Sequence, residues 1–232
     1  MSQLGVTPTG NPPVQPAHIP WLTDAQYINY PTGTGITSSS TLYTTGTLTN
    51  MCAMACEYIE NYCGRYFSSQ TGIDEKYFDV NIGANRNVIV PLRNTPINNI
   101  NSIYLQVLSF FIPISFEYLT VSELSGAITF VPLLNGSSNG SPLPAQVLNA
   151  GSANVWINYD FGYTTIPQTL VEVAVMLVSR YIGLQENPTG AETIRMGEMM
   201  ISWKAMKGSP DPMTVMIQDM LKPYVTTYML TT

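Results

Sequence analysis

The stretch that most constrains the fold is residues 170–183, LVEVAVMLVSRYIG. It is apolar on every side of a helix for more than two turns, with Glu172 as the interruption. Thr165 and Gln168 have the Thr-x-x-Gln spacing of a capping box, which predicts a helix that starts near residue 166. A helix that is apolar on every side must be buried on every side. The pattern therefore places this helix between subunits or at the centre of a bundle.

A second helix is predicted over residues 48–66, which include all three cysteines. At about 100° per residue, one stripe of this helix contains Cys52, Cys56, Ile59 and Cys63. An adjoining apolar face contains Met51, Ala55, Tyr58 and Tyr62, and the polar remainder, which we expect to be solvated, contains Glu57, Glu60 and Asn61. Zinc sites usually have four ligands in short-spaced pairs, whereas the spacings here are longer and His18 is far upstream. We therefore expect buried free thiols, no metal and no cofactor.

Charged residues make up 10% of the chain, against about 25% in a typical soluble domain. Hydrophobic residues make up 45%, so the chain can form a large core. Such low charge indicates a surface that other subunits cover; the alternative is a secreted protein with a neutral polar surface. The odd number of cysteines favours a reducing compartment. The net charge is −6 and the nine basic residues are scattered, so no stripe for binding duplex DNA is present.

The predicted fold class is α+β: mainly a helical bundle with an inserted antiparallel β region and an extended N-terminal arm. Residues 1–46 form the Pro/Gly/Thr-rich arm, and residues 47–232 form the main domain. Its helices are expected over about 48–66, 166–183 and 211–226, and its β region over about 74–162. In the strand predicted at 153–163, Val155, Ile157 and Tyr159 share one side. We could not predict the structure of residues 192–208.

The residues for most kinds of catalysis are missing. His18, the only histidine, lies in the arm without an acid or nucleophile pattern beside it, and no P-loop or GxGxxG sequence occurs. No membrane span is expected, because the longest apolar stretch, 103–116, is short and contains Pro113. We expect no enzymatic activity. An alternative is a calcium- or carbohydrate-binding β module that uses Asp74, Glu75, Asp79 and Asp160.

The order of motifs resembles the head-tail connector, or adaptor, proteins of tailed bacteriophages, the gp6-like and gp15-like group. The resemblance covers residues 48 to about 225. Within the first helix it rests on Ala55, Ile59, Glu60, Tyr62, Gly64, Arg65 and Phe67; further on it rests on Pro91, Leu92, Pro96, Ile97, Gly126, Ile128, Tyr159, Gly162, Tyr163, Pro167 and Leu170. The sequence LKPY at 221–224 resembles the end of that family's last helix.

The resemblance implies a structural subunit of the phage neck, assembled in the bacterial cytoplasm. Such proteins form homo-oligomeric rings, typically dodecamers, which dock under the portal protein, extend the DNA channel and carry the stopper or tail proteins. Double-stranded DNA would pass through without sequence-specific binding, and no membrane is involved. We expect subunit or portal contacts from Trp21, Tyr27, Tyr58, Tyr62, Arg65, Met176, Tyr181, Trp203, Met216, Met220 and Tyr224. Another neck or tail-completion protein is the alternative within the virion.

Overall fold

The computed structural model describes residues 8, 11–31, 45–78, 88–107, 110–114, 119–122, 126–130, 154–186, 193–196, 199–202 and 212–225. The chain divides into two compact units. The first, here called the sheet unit, comprises residues 1–17 and 66–164. The second, the helical unit, comprises residues 18–65 and 165–232.

The described part of the sheet unit contains two antiparallel sheets. The strands are β1 (Gln70–Tyr77), β2 (Val88–Pro91), β3 (Ile97–Val107), β4 (Phe110–Pro113), β5 (Thr120–Ser122), β6 (Ala127–Phe130) and β7 (Asn154–Phe161). One sheet has the order β1-β7-β3-β4 and the other has the order β2-β6-β5. Strands β2 and β3, which flank the sequence PLRNTP at residues 91–96, thus belong to different sheets.

Apolar side chains that alternate with polar ones along the strands form the core of the sheet unit. Val155, Ile157 and Tyr159 are buried on one side of β7, as the sequence pattern predicts. The core joins them to residues from β1, β2, β3 and β6 and from the segments beside the strands: Ile73, Val90, Leu92, Ile103, Leu105, Ile114, Ile128 and Phe161.

The opposite side of the larger sheet has a ladder of amides and carboxylates. Asn101 Nδ2 donates to Asn158 Oδ1 at 2.9 Å and to Asp160 Oδ1 at 2.8 Å. Asn158 Nδ2 donates to Asp74 Oδ1 at 2.9 Å, and the Gly72 N–H donates to Asp160 Oδ1 at 2.7 Å. These bonds cross β3, β7 and β1 where the β1–β7 register shifts, so side chains satisfy main-chain groups that the strand ladder leaves open.

The helical unit contains α1 (Asp24–Ile28), α2 (Thr45–Cys63), α3 (Gln168–Glu186), α4 (Pro212–Leu221) and a 3₁₀ turn, Lys222–Tyr224. Thr23 caps α1 through a capping box with Gln26. A hairpin of β8 (Thr193–Met196) and β9 (Met199–Ser202) lies in the stretch whose structure the sequence did not predict. Helix α2 packs against α3, α1 packs against α2, and α4 packs against α3.

Helix α3 is enclosed as its sequence predicts. No residue from 169 to 183 is exposed. The fully or nearly fully buried positions occur on several sides of the helix: Leu170, Val173, Ala174, Val175, Leu177, Val178, Ser179 and Ile182. The chain's own segments supply much of this cover.

The predicted fold class is wrong in its main emphasis. Strands and helices occupy comparable lengths of the described residues, so the protein is not mainly a helical bundle. The physical reason is that the strands form two sheets with a hydrophobic core of their own. The apolar stripes of the helices indicate only the core of the helical unit, and not this second core.

Candidate subunit interface on the helical unit

Helix α2 buries the cysteine stripe that the sequence predicts. Cys52, Cys56 and Cys63 are free and buried, and Ile59 lies between them in the same core. Burial raises the pKa of Cys52 and Cys63 to about 12 and that of Cys56 to about 11. These thiols are therefore neutral and pack as small apolar groups.

Glu60 does not lie on a solvated face, contrary to the prediction. Its side chain is 4% exposed, and Oε2 lies 2.6 Å from His18 Nδ1. The residue that reaches it comes from the N-terminal segment, 42 positions earlier in the sequence. Helical periodicity alone could not identify this partner, because it belongs to a different segment of the chain.

The outer side of α2 carries two large apolar side chains one turn apart. Met54 is 55% exposed and Tyr58 is 39% exposed. Residues four positions apart on a helix are surface neighbours, so these two form one exposed apolar spot. Glu57 and Asn61 are exposed beside it. Tyr58 belongs to the predicted interface set; Met54 does not, although its i−4 spacing from Tyr58 is visible in the sequence.

Several other predicted interface residues lie close to α2. Burial is the main cause that raises the pKa of Tyr181 on α3, and Tyr58 adds a smaller electrostatic contribution, which places the two tyrosines near each other. The Arg65 guanidinium carbon lies 5.8 Å from the centre of the Tyr224 ring, a cation–π contact. Tyr62 is near enough to Lys222 to contribute to its raised pKa, of which the main cause is the hydrogen bond to Asp219.

Helix α4 shows a similar division of faces. Met213, Ile217 and Leu221 are buried, whereas Val215 is 38% exposed and Met216 is 47% exposed. Arg180 Nη1 donates to Thr214 Oγ1 at 3.1 Å and joins α3 to this helix. Met216 and Met220 belong to the predicted set; Met220 is half-buried. Exposed apolar side chains therefore occur on both helices.

The remaining predicted residues lie elsewhere. Tyr27 is fully buried, and its hydroxyl lies 3.1 Å from Ser179 Oγ, so its side chain is not available to a partner in this conformation. Trp21 and Met176 are half-buried, and Trp203 lies outside the described residues.

The carboxylates of the alternative calcium- or carbohydrate-binding site are engaged with protein donors. Asp74 accepts from Val14 N and Asn158 Nδ2, and Asp160 accepts from Gly72 N and Asn101 Nδ2. Glu75 accepts from Asn94 Nδ2 and from the Tyr77 hydroxyl. Asp79 lies outside the described residues. In the part of the chain that the structure describes, no three His, Cys, Asp or Glu side chains are grouped as metal ligands.

Comparisons with solved structures give a partial likeness. No family model matches this chain, and no curated protein matches it. A solved structure described as the neck of an empty GTA particle, computed with C6 symmetry, contains a chain that is 15% identical. The alignment covers 62% of this chain and 69% of that one, with a TM-score of 0.42. At this level the likeness assigns no function to the protein.

Among the described residues, no helix has the length and apolar character needed to cross a membrane.

Proposed function

We propose that this protein is a non-catalytic structural subunit of the neck of a tailed phage or phage-like particle. Copies of the chain form a ring, with twelve as the expected number, that docks under the portal protein. The ring extends the DNA channel and presents a platform to the stopper or tail. The ordered sequence motifs between residues 48 and 225 support this assignment.

The observation that carries the proposal is the exposed apolar side chains of α2 and α4. Met54, Tyr58, Val215 and Met216 are each more than one-third exposed, in a chain of which 10% of the residues are charged. Interface cores are depleted in charge and enriched in aromatic residues and methionine. These exposed side chains support the proposal that the helical unit contacts other proteins through α2 and α4.

The acidic balance of the chain fits a DNA channel. Its net charge is −6, so duplex DNA is repelled on average and can slide without being held. A protein that bound the duplex would need clustered lysine and arginine to neutralise phosphates.

The decisive experiment is electron microscopy, in negative stain, of the purified chain mixed with the portal protein of the same virus. The expected result is a collar of added density on the portal ring. The proposal fails if the chain stays monomeric and leaves portal particles unchanged, or if it turns over a substrate. The mixture is compared with the chain alone, which distinguishes assembly templated by the portal from self-assembly.

A double substitution tests the α2 surface directly. Met54→Glu with Tyr58→Glu places charge on the apolar spot and should prevent the collar, because a buried unpaired carboxylate is costly. Ala25→Glu is the matched control: it adds the same side chain at an exposed position of the same unit, in the first turn of α1, where negative charge is tolerated. Circular dichroism and the urea midpoint should match wild type in both variants. A collar that forms normally with the double variant would exclude α2 from the interface.

The corresponding pair on α4, Val215→Glu with Met216→Glu, tests whether both helices are needed. If the α2 pair and the α4 pair each abolish the collar when tested separately, both apolar areas contact a partner. If only one pair has an effect, only that helix belongs to the interface.

A further inference from the structure

The outer side of the larger sheet, opposite its hydrophobic core, has a cleft of about 330 Å³ within the sheet unit. Strands β1, β3 and β7 form its floor, and Pro8, Pro12 and Val14 of the N-terminal segment form one wall. The Asp74 N–H donates to the Val14 carbonyl at 2.9 Å, and the Val14 N–H donates to Asp74 Oδ2 at 3.0 Å, so this wall is bonded to β1. The volume lies at the lower end of the range of roughly 300–1,000 Å³ that is typical of small-molecule sites.

Strand pairing places two kinds of side chain next to each other on the floor of the cleft. Asn158 on β7 is paired with Asp74 on β1 and with Ser102 on β3, which makes a polar row. Trp156, two residues before Asn158, is paired with Tyr104 on β3, which makes an aromatic row. Successive residues on one face of a strand lie about 6.7 Å apart, so the two rows are adjacent. A ligand in the cleft therefore meets aromatic rings beside hydrogen-bonding groups.

Two hydroxyl groups of the floor are available to a ligand. Ser102 and Tyr104 are half-buried, and neither hydroxyl has a hydrogen-bond partner among the described residues. Each hydroxyl can both donate and accept a hydrogen bond. Tyr104 also offers its ring, whereas Trp156 is 2% exposed and its indole N–H already donates to Gln106 Oε1 at 3.0 Å. Tyr104 is therefore the accessible aromatic residue of the cleft.

The charges around the cleft favour a neutral ligand. Asp74 lines it, and no lysine, arginine or histidine is among the described residues that do so. Lys76, beside Trp156 on the sheet, instead lies over two rings, with Nζ 5.3 Å from the centre of the Trp156 ring and 4.8 Å from that of Phe78. An anionic ligand would be repelled by the carboxylate without an opposite charge in the lining to offset it.

We propose that this cleft binds a neutral carbohydrate, of the size of a monosaccharide or disaccharide. A sugar ring has an apolar C–H face and a rim of hydroxyl groups. The negative face of an aromatic ring attracts the C–H groups, and the polar row supplies partners for the hydroxyls. In this arrangement the sugar packs on Tyr104 and bonds to the hydroxyls of Ser102 and Tyr104, with Pro12 and Val14 beside it. The site needs neither calcium nor the ring assembly proposed above, so the two proposals fail separately.

Titration of the full-length chain with neutral sugars tests the proposal. Glucose, galactose, mannose, N-acetylglucosamine and their disaccharides are added while tryptophan fluorescence and saturation-transfer NMR are recorded. The expected result is saturable binding of at least one sugar, with a fluorescence change that is lost in Trp156→Phe. The phosphate ester of that sugar should bind severalfold more weakly because of Asp74.

Three outcomes of the titration would overturn the inference. The first is the absence of saturation by any neutral sugar within its solubility. The second is equal affinity for the sugar and its phosphate ester. The third is a fluorescence change that persists in Trp156→Phe, because the sugar would then bind elsewhere.

Variants of the floor identify the groups that hold the sugar. Tyr104→Ala removes the ring and should weaken the affinity about tenfold. Tyr104→Phe and Ser102→Ala each remove one hydroxyl and should weaken it about fivefold. Ile89→Ala is the control: this side chain is 51% exposed on β2, in the other sheet, and the variant should bind as wild type does.

Circular dichroism and the urea midpoint establish that each variant is folded. If Tyr104→Ala does not fold, the two hydroxyl variants carry the test, because they preserve the strand and the ring. Wild-type affinity in every folded variant of the cleft overturns the inference. An equal loss of affinity in Ile89→Ala overturns it as well, since the effect would not be specific to the cleft.

Discussion

His18 Nδ1 lies 2.6 Å from Glu60 Oε2, and the carboxylate is 4% exposed. The chain's only histidine is thereby joined to a glutamate within the buried half of α2. A buried carboxylate requires hydrogen-bond or charge partners, and the N-terminal segment provides one. The pair attaches that segment to the helical unit.

Removal of the His18 side chain should therefore destabilise the protein, and should do so less when Glu60 no longer carries a charge. His18→Ala should lower the free energy of unfolding by about 1–3 kcal/mol, since His18 is itself partly exposed. In a Glu60→Gln background the same substitution should cost clearly less, because no carboxylate remains buried. Urea unfolding of the four proteins of this cycle measures the coupling. Equal costs of His18→Ala in both backgrounds would show that the pair contributes no coupling energy.

Tyr27 offers a test of how the N-terminal segment is held in the helical unit. Tyr27→Phe removes the hydroxyl that contacts Ser179 Oγ at 3.1 Å and should cost about 1 kcal/mol. Tyr27→Ala also removes the ring and should cost about 3–5 kcal/mol. Thermal or urea unfolding measures both. If Tyr27→Ala cost no more than Tyr27→Phe, the ring would not be packed as described.

Alanine substitutions at Gly162 and Gly72 separate the cost of a positive φ from the cost of a steric clash. Both have positive φ, +97° and +66°, but a Cβ on Gly162 would lie 2.3 Å from the Ser68 carbonyl oxygen, whereas a Cβ on Gly72 meets open space. Gly72→Ala should cost about 1–2 kcal/mol from its backbone conformation alone. Gly162→Ala should cost about 3 kcal/mol or more, because main chain must also move. Unfolding midpoints that fall by the same amount would contradict this difference.

The buried thiols predict a loss of stability at alkaline pH. Their folded pKa values of about 11 to 12 exceed the ordinary value of 9.0, so between these limits the unfolded state loses protons that the folded state keeps. Their contribution is complete below about pH 9 and declines as pH rises toward 12, by up to about 1.4 kcal/mol per pH unit for each thiol.

The measurement is the urea midpoint from pH 7 to 10.5, in wild type and in Cys52→Ala. Wild type should lose stability more steeply above pH 9, because the variant has one fewer buried thiol. Tyrosines with raised pKa, such as Tyr159, contribute equally to both proteins and cancel in the comparison. Parallel curves would mean that Cys52 is ionised as easily in the folded state as in the unfolded chain.

Sequence periodicity predicted the features that depend on a single element. The cysteine stripe of α2, the enclosed α3 and the alternating side chains of β7 all follow from the 3.6- and 2-residue repeats. Features that join distant segments were not predictable in this way. The position of Glu60 depends on His18, and the separation of β2 and β3 into two sheets depends on pairing with β6 and β7.

The exposure of the candidate interface residues was predictable to a similar extent. Tyr58 and Met216 could be selected as apolar residues on amphipathic helices, and both are exposed. Tyr27 could not be distinguished from them, because it is buried beside segments distant in the sequence, such as Ser179, more than 150 positions away. The position of residues 11–17 along β1 could not be predicted from periodicity either, because the segment has no apolar repeat and its main chain bonds to side chains of Gln70 and Asp74.

The ladder that joins Asn101, Asn158, Asp160 and Asp74 has a consequence for the conditions the protein can tolerate. Its donors are neutral amides rather than ammonium or guanidinium groups, so the ladder contains no attraction between opposite charges that dissolved ions could screen. The outer side of the sheet should therefore keep its shape in concentrated electrolyte, where proteins held by surface ion pairs lose stability.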